Sequence, residues 1–505
     1  MNASTPTVDE YDIVVIGAGI SGIGAAKYIT EAFPGKRVVI LEGRANIGGT
    51  WDLFKYPGIR SDNGLHTFGY EFKPWTDPDA IAEAPKIVNY LQETLEEFDL
   101  NRLVRFEHSV QRASWSSEDA RWTLDVTTPD GDRRISANWI FAGTGYYRYD
   151  EGYTPQFEGR EDFRGDILHP QHWPEDYDYS GKKVVVIGSG ATAVTLIPSM
   201  LNHAGAAAHV TMLQRTPTYV IPWAKVDSAA LMFTKWFGEK RGYALTRFAN
   251  IWIERGIVKA MRGFPKLARA AIRRVNIESL PQGFDVDTHF NPPYDPWDQR
   301  LCLCPDGDFF EALSDGSASI VTDKIERFTE TGIALESGEH LDADVIVTAT
   351  GLNMRLLGGI ELDVDGDPVH LPDTVAYRGT LLSGIPNLAI AIGYTTSPWT
   401  LKISILCRYF CALVAHMDAF GYDSVRVEAD PAMERRPIVD LSSGYAQRAK
   451  DIIPKQGTGL FQMSMSYQQD AKILRGPLLD EALHFSSRAD EPHRLPAPAN
   501  EAIHA

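Results

Sequence analysis

Tyr11-Asp-Ile-Val-Val-Ile-Gly17-Ala-Gly19-Ile-Ser21-Gly22 opens the segment that decides the fold, which continues through Val38-Val-Ile-Leu41 to Glu42. The run ending at Ile16 is apolar and biased toward β-branched residues, so it reads as a buried strand. Gly17, Gly19 and Gly22 follow in G-x-G-x-x-G spacing, ahead of a helix-like stretch to about Ala32. Gly17 permits the tight turn, Gly19 lets the backbone approach a pyrophosphate, and Gly22 lets the helix pack close on the strand. Free N–H groups at the helix start then face the anion. Val38 to Leu41 forms a second strand. Glu42 stands twenty residues beyond Gly22, where a carboxylate can accept both hydroxyls of an adenosine ribose and would repel a 2′-phosphate.

The pattern returns further on. Lys183-Val-Val-Val-Ile187 is a strand, Gly188, Gly190 and Ala193 match G-x-G-x-x-A, and a helix is expected from about Ala191 to Met200. The strand His209 to Gln214 ends in Arg215, at the place that Glu42 holds in the first motif. A cation there pairs with a phosphate, so the second site is expected to prefer NADPH. Two motifs in one chain imply two dinucleotides and an α/β protein with two Rossmann-like dinucleotide-binding domains.

With 505 residues the chain exceeds what one core supports, which also implies several domains. A hydrophobic content of 44% and a charged content of 23% are those of a globular protein. The formal charge of −18 argues against a general nucleic-acid binder, because phosphate polymers would be repelled by most of the surface. Residues 1–10 lack a basic n-region and an apolar h-region, and no eighteen-residue apolar run occurs, so a cytoplasmic protein without a membrane span is expected. Cys302, Cys304, Cys407 and Cys411 form no C-x-x-C pair. They read as reduced packing residues, which excludes the dithiol-dependent disulfide reductases.

Residues 1–150 are expected to form the first segment of one domain. A strand carries Val110, an Asp130-Gly131 turn marks a hairpin, and Trp139-Ile-Phe-Ala-Gly-Thr-Gly145 ends a strand in small residues near a cofactor. A tyrosine-rich linker from Tyr146 to Pro155 leads to Phe163-Arg-Gly-Asp-Ile-Leu-His169-Pro-Gln-His-Trp173-Pro174, which reads as a shaped connector. His169 and His172 lack the companion ligands of a zinc site, and no metal is expected. The second domain spans 151–335 with a helical insertion at about 225–290. From Lys225 to Arg274 that insertion carries twelve Lys/Arg against three acids, a net +9. It reads either as a solvated basic face or as a peripheral contact with anionic lipid, for which Arg269, Arg273 and Arg274 are the candidate residues. The proline-rich loop Asn291 to Trp297 delivers Arg300 to a short strand. Asp344 to Gly351 repeats the small-residue strand end, so the first domain is expected to resume at 336 and run to 487. Residues 488–505 form a Pro/Ala/His-rich tail.

These residues together resemble the type I Baeyer–Villiger monooxygenases, of the class B flavoprotein monooxygenases, over nearly the whole chain. Phe163, Gly165, His169, Trp173 and Pro174 fit that family's F-x-G-x-x-x-H-x-x-x-W-P fingerprint between two G-x-G motifs. Gly48-Gly-Thr-Trp-Asp-Leu53, Tyr56-Pro-Gly-Ile-Arg-Ser-Asp62, His169 to Glu175, Trp297-Asp-Gln-Arg-Leu-Cys302 and Lys455-Gln-Gly457 look most like the mycobacterial ethionamide-activating group. The resemblance implies FAD contacts at Ser21, Glu42, Thr50, Trp51, Asp52, Leu53, Asp62 and Val110, with Arg60, Ser61 and Asp62 also facing the nicotinamide. It implies NADP contacts at Ser189, Gly190, Ala191, Thr192, Ala193, Val194, Thr195, Arg215 and Thr216. Several relatives place a lysine before the active-site arginine, where this chain has Gln299.

The activity so implied is NADPH- and O₂-dependent insertion of oxygen beside a ketone carbonyl, giving an ester or lactone through a C4a-peroxyflavin stabilised by Arg300, with Asp62 orienting the guanidinium. Sulfoxidation would accompany it. A flavin-containing N- or S-monooxygenase and a non-catalytic NADP/FAD-binding sensor are the rival readings.

Overall fold

A computed structural model describes residues 8–201, 203–299, 301–394, 397–439 and 444–488. Arg300 and the tail from 489 lie outside the described residues.

The first segment contains β1 (Asp9–Ile16), α1 (Ile20–Ala32), β2 (Val38–Leu41), α2 (Thr50–Leu53), α3 (Leu65–Phe68), α4 (Ala84–Glu97), β3 (Val104–Arg105), β4 (Ser109–Ser116), β5 (Arg121–Thr128) and β6 (Gly131–Ala142). β6, β1, β2 and β3 lie side by side and parallel, and β4, β5 and β6 continue the sheet as an antiparallel meander. Both faces are covered, which is why β1 reads as a continuous apolar run rather than an alternating one. Ile13 and Val15 enter the core shared with α1, while Val14 and Ile16 join Trp122 and Leu124 on the opposite face. The hairpin turn expected at Asp130-Gly131 is present, Thr128 pairing with Gly131.

The expected linker folds as a strand, β7 (Tyr147–Gly152). Beyond it come β8 (Asp166–Leu168), β9 (Lys183–Ile187), α5 (Ala191–Ser199), β10 (His209–Gln214) and β11 (Val220–Trp223). The insertion is α6 (Ser228–Phe237), α7 (Glu239–Gly263), α8 (Pro265–Ser279) and the single turn α9 (Val286–His289). The chain then forms β12 (Cys302–Pro305), α10 (Asp308–Ser314), β13 (Ala318–Thr322), the meander β14 (Ile325–Thr329), β15 (Gly332–Leu335) and β16 (His340–Asp342), and β17 (Val345–Thr348). The second sheet runs β13-β10-β9-β17-β8, all parallel.

β17 corrects the expected domain boundary. It lies between β9 and β8 in the second sheet, so the first domain does not resume at 336. The return strand β18 (Leu352–Met354) pairs with β7, and β19 (Glu361–Val364) is the next to rejoin the first sheet, beside β4. Strands ending in small residues close both nucleotide units, and residue pattern alone does not tell which sheet such a strand enters.

The last long helix, α11 (Trp399–Phe420), has 22 residues and a mean hydropathy of 1.4, enough by length and composition to cross a bilayer. Its residues Ile403, Leu406, Phe410 and Leu413 instead fill the core against α1, which accounts for that hydropathy. The four cysteines are buried, and no disulfide joins them among the described residues.

Helix α7 is pinned to α3 by a buried guanidinium, Arg247 Nη1 donating to the carbonyls of Thr67 and Gly69, both at 2.8 Å. Glu254, about two turns further along the same face of α7, accepts from Thr67 Oγ1 at 3.2 Å. Burial pushes its carboxyl from 4.5 up to about 7, against the weaker pull of the Thr67 bond and the Arg247 charge. Between those two values the unfolded chain is ionised while the folded chain keeps its proton. Stability therefore falls as pH rises from 4.5 to about 7 and is level on either side. Glu254→Gln removes this dependence: thermal denaturation should show the variant gaining on the parent across that interval and holding the gain at higher pH.

Candidate active site

A cleft of about 600 Å³ opens at the C-terminal ends of β1 and β2. Its walls include Gly17, Gly19, Ser21, Glu42, Thr50, Trp51, Asp62 and Val110, brought together from four separate stretches of chain. The turn after β1 is held by Gly17 N–H donating to Leu41 O at 2.7 Å. Gly22 lies beneath it: a Cβ there would sit 1.8 Å from Gly17 O, so only a glycine lets α1 start this close to the strand. Gly19 caps α1 with no side-chain hydrogen bond, which leaves the first-turn N–H groups directed at the cleft.

Glu42 is buried, with Oε2 accepting from Ala18 N–H at 2.7 Å and Oε1 from Arg44 N–H at 2.9 Å. Burial raises its carboxyl above the usual range, partly offset by these two donors. Each oxygen keeps a lone pair for a further donor such as a ribose hydroxyl. On the far wall, Trp399 Nε1 donates to Ser21 Oγ at 2.7 Å.

The other expected residues of the first site lie elsewhere. Asp52 is buried in ion pairs with Arg44 at 2.7 Å and Lys55 at 3.2 Å, and Leu53 packs against the core of the second unit. Ser61 turns its hydroxyl to Asn63 O, and Arg60 forms an ion pair with Asp308 of α10 at 2.5 Å. Of Arg60, Ser61 and Asp62, only Asp62 lines the cleft. Sequence reasoning missed Arg44, Tyr149, Arg355 and Trp399, which also line it. Arg44 donates to Gly49 O at 3.2 Å and so fastens the loop that carries Thr50. Two of these four residues come from beyond residue 350, and no local motif marks them.

The second motif repeats the first in hydrogen bonding, Gly188 N–H donating to Leu213 O at 2.9 Å. The pairing Ile187 with Leu213 matches Ile16 with Leu41. The counterpart of Glu42 is therefore Gln214, and Arg215 stands one position beyond it, a correction of the expected register. Gln214 is buried and donates to His289 O and Thr322 Oγ1, both at 2.9 Å. Exposed Arg215 has left the sheet and forms no ion pair with the described residues. A neutral amide in place of the carboxylate removes the repulsion and leaves the guanidinium free for a phosphate. Ser189 Oγ donates to Thr216 O at 2.9 Å, drawing the two expected loops together. Gly190 and Ala191 are exposed at the start of α5 and Thr192 is half-buried, hydrogen-bonded to Tyr56, whereas Ala193 and Val194 are core residues and Thr195 is buried. The side chains of these last three are turned into the protein interior. Arg215→Ala should raise the KM for NADPH by about tenfold or more and leave that for NADH unchanged, because a charge-assisted bond to phosphate contributes about 1.5–3 kcal/mol.

The connector joins the two units. His169 Nε2–H donates to Gly351 O at 3.2 Å and Nδ1 accepts from Gln171 N–H at 3.1 Å, the pattern of a neutral ring. Burial lowers the His169 pKa, in keeping with this. The ring rests on Gly152, where a Cβ would collide with it at 2.1 Å. Gln171 Nε2 donates to Arg148 O at 2.7 Å and Tyr149 O at 2.9 Å. Phe163 and Trp173 anchor the segment in two cores of the second unit. The connector thus clasps β7 and the residue before β18, the two crossings between the units. Among the described residues no His, Cys, Asp and Glu side chains group as a metal site.

The flavin-binding monooxygenase-like family profile matches residues 10–237. The FAD-containing monooxygenase EthA of Mycolicibacterium smegmatis is 47% identical over 481 residues, covering 95% of this chain and 97% of the relative. The putative FAD-containing monooxygenase MymA of Mycobacterium tuberculosis is 46% identical over 95% of this chain and 98% of its own. Among solved structures, an oxidized steroid monooxygenase bound to NADP aligns over 92% of this chain and 97% of its own, with a TM-score of 0.73 at 23% identity. A cyclohexanone-bound cyclohexanone monooxygenase aligns over 84% of this chain and 90% of its own, with a TM-score of 0.68 at 22% identity.

Proposed function

The chain belongs to the FAD-containing flavin monooxygenases, and from that we propose that it inserts oxygen beside the carbonyl of a small ketone to give an ester or lactone. FAD and NADPH are its cofactors. The observation that supports the ketone reading is the clasp: fingerprint residue His169, with its neighbour Gln171, ties the crossings between the two nucleotide units, while Phe163 and Trp173 anchor the segment in the second unit.

The residues present suit the flavin nucleotide. Gly17 and Gly19 leave room for a pyrophosphate at the N-terminus of α1, Glu42 retains acceptor capacity for a ribose, and Ser21, Thr50, Trp51, Asp62 and Val110 are the wall residues that would hold the remainder. Arg215, Ser189, Gly190, Ala191, Thr192 and Thr216 would hold the NADP moiety. Reduced FAD supplies the activation of dioxygen. Arg300, which follows Trp297-Asp-Gln in the sequence, would supply a charge that no working pH removes, and so stabilise the oxyanion that develops on the attacked carbonyl. Asp62 would position that guanidinium. No side chain has to act as a general base, consistent with the absence of a Ser/His/Asp or H-E-x-x-H motif in the chain.

Oxygen uptake with NADPH and a simple ketone, followed by product analysis, tests the proposal. An ester or lactone supports it; sulfoxide or N-oxide formation with ketones left intact favours a flavin-containing N- or S-monooxygenase, and cofactor binding without oxygen consumption favours a sensor. Arg300→Ala should keep its flavin and its NADPH oxidation while ester formation falls about a hundredfold or more, the usual cost of removing a fixed charge partner. Sulfoxide yield should fall less, since sulfur attack builds no oxyanion on the substrate. A cytoplasmic location is part of the same proposal.

A further inference from the structure

We infer that the outer face of the helical insertion docks on an anionic lipid bilayer. Of the large apolar side chains exposed on the described surface, most belong to α6, α7 and α8. Trp236, Phe248, Trp252, Ile253, Phe264 and Leu267 are 50–70% exposed. The phasing of α7 separates two faces: Gly242, Tyr243, Thr246 and Arg247 turn inward, Gly242 against α6 and Arg247 onto α3, while Leu245, Phe248 and Trp252 follow one another at helical spacing on the outside. Among the described residues no other element covers the outer row, in contrast to α11, whose similar residues are buried in the core.

Charge identifies the occupant. Lys235, Lys240, Arg241, Arg255, Lys259 and Lys266 are interleaved with these rings, all are exposed, and none has an ion pair among the described residues. The Arg255 guanidinium lies 5.3 Å from the Trp252 ring centroid. Arg269, Arg273 and Arg274, which composition marks equally, are instead paired with Asp295, Asp287 and Glu278. They are not the binding residues. Aromatic side chains flanked by unpaired cations match the headgroup boundary of a bilayer, where rings enter the acyl region and cations meet lipid phosphates. A chain with a net charge of −18 that gathers +9 within Lys225 to Arg274 is attracted to such a surface through that segment and repelled through the rest. A protein partner would more often pair such lysines with carboxylates or exclude them from the core of the contact.

The test uses the purified holoenzyme with sedimented vesicles of phosphatidylcholine alone and of phosphatidylcholine mixed with phosphatidylglycerol in equal parts. The wild type should pellet with the anionic vesicles, release in high salt, and stay in solution with the neutral ones. Lys235→Gln, Lys259→Gln and Lys266→Gln combined should lower the partition coefficient about a hundredfold, roughly fivefold for each charge removed. Trp236→Ser with Phe264→Ser should lower it while leaving the salt dependence in place. Basal NADPH oxidation should be unchanged in both variants, which shows that they are folded. Failure of the wild type to bind anionic vesicles overturns the inference. So does a concentration-dependent dimer in sedimentation velocity that either variant abolishes, since the face would then meet a second copy.

Discussion

Gly22→Ala should yield a protein without bound flavin, colourless after purification and not reconstituted by added FAD. The added methyl would lie 1.8 Å from Gly17 O and 3.3 Å from the Val15 side chain, and the nearer atom is backbone that no rotamer change can move aside. Relief requires α1 to slide away from β1, but the Gly17 turn is tied to Leu41, and α1 is packed against α11 as well. Displacing the helix moves its N-terminal N–H groups, which are the proposed pyrophosphate donors, so the loss falls first on the cofactor. Gly35→Ala is the control. A methyl added at that glycine would meet no heavy atom within 4 Å, and the variant should be yellow and fully active. Flavin absorbance per polypeptide measures both. A flavin content for Gly22→Ala equal to that of the parent would mean that the helix start is not where the pyrophosphate binds.

Lys402→Met should destabilise the protein by about 3–5 kcal/mol in chemical denaturation, although it replaces a charged side chain in a core helix with an apolar one of similar length. Lys402 on α11 is 1% exposed and pairs at 2.9 Å with Asp470, itself 6% exposed. Burial lowers the lysine pKa and raises that of the carboxyl, so each group depends on the other to remain charged. Removing the cation leaves Asp470 to ionise alone in the interior. With its folded pKa raised further above 3.8, the unfolded state releases the proton first, and the deficit of the variant should grow as pH rises from that value. Lys402→Met combined with Asp470→Leu removes both charges and should recover most of the loss. A single variant as stable as the parent at neutral pH would show that water reaches Asp470.

The parts of the fold governed by local rules were legible. Both glycine motifs, their flanking strands and helices, the Asp130-Gly131 hairpin and the helical insertion all occur where spacing and turn chemistry put them. These features depend on contacts within about forty residues of chain, and the backbone conformations that glycine, β-branched and apolar-periodic residues favour are enough to specify them. Fingerprint residues such as His169 were also visible, but their physical task was not. Only once β7 and β18 are paired does His169 have two crossings to hold.

What the sequence by itself determined is therefore two nucleotide-binding units in order, the acidic residue of the first, the basic residue near the second, and the segment joining them. Tertiary structure alone decided which sheet takes β17, that Gln214 rather than Arg215 answers to Glu42, that Ala193 and Val194 face inward, and that Trp399 closes a cleft begun nearly four hundred residues earlier. The reason is common to all four. Strand order, register and burial are set by which distant apolar faces meet, and a residue pattern repeated in both units is equally compatible with either partner until the chain has packed.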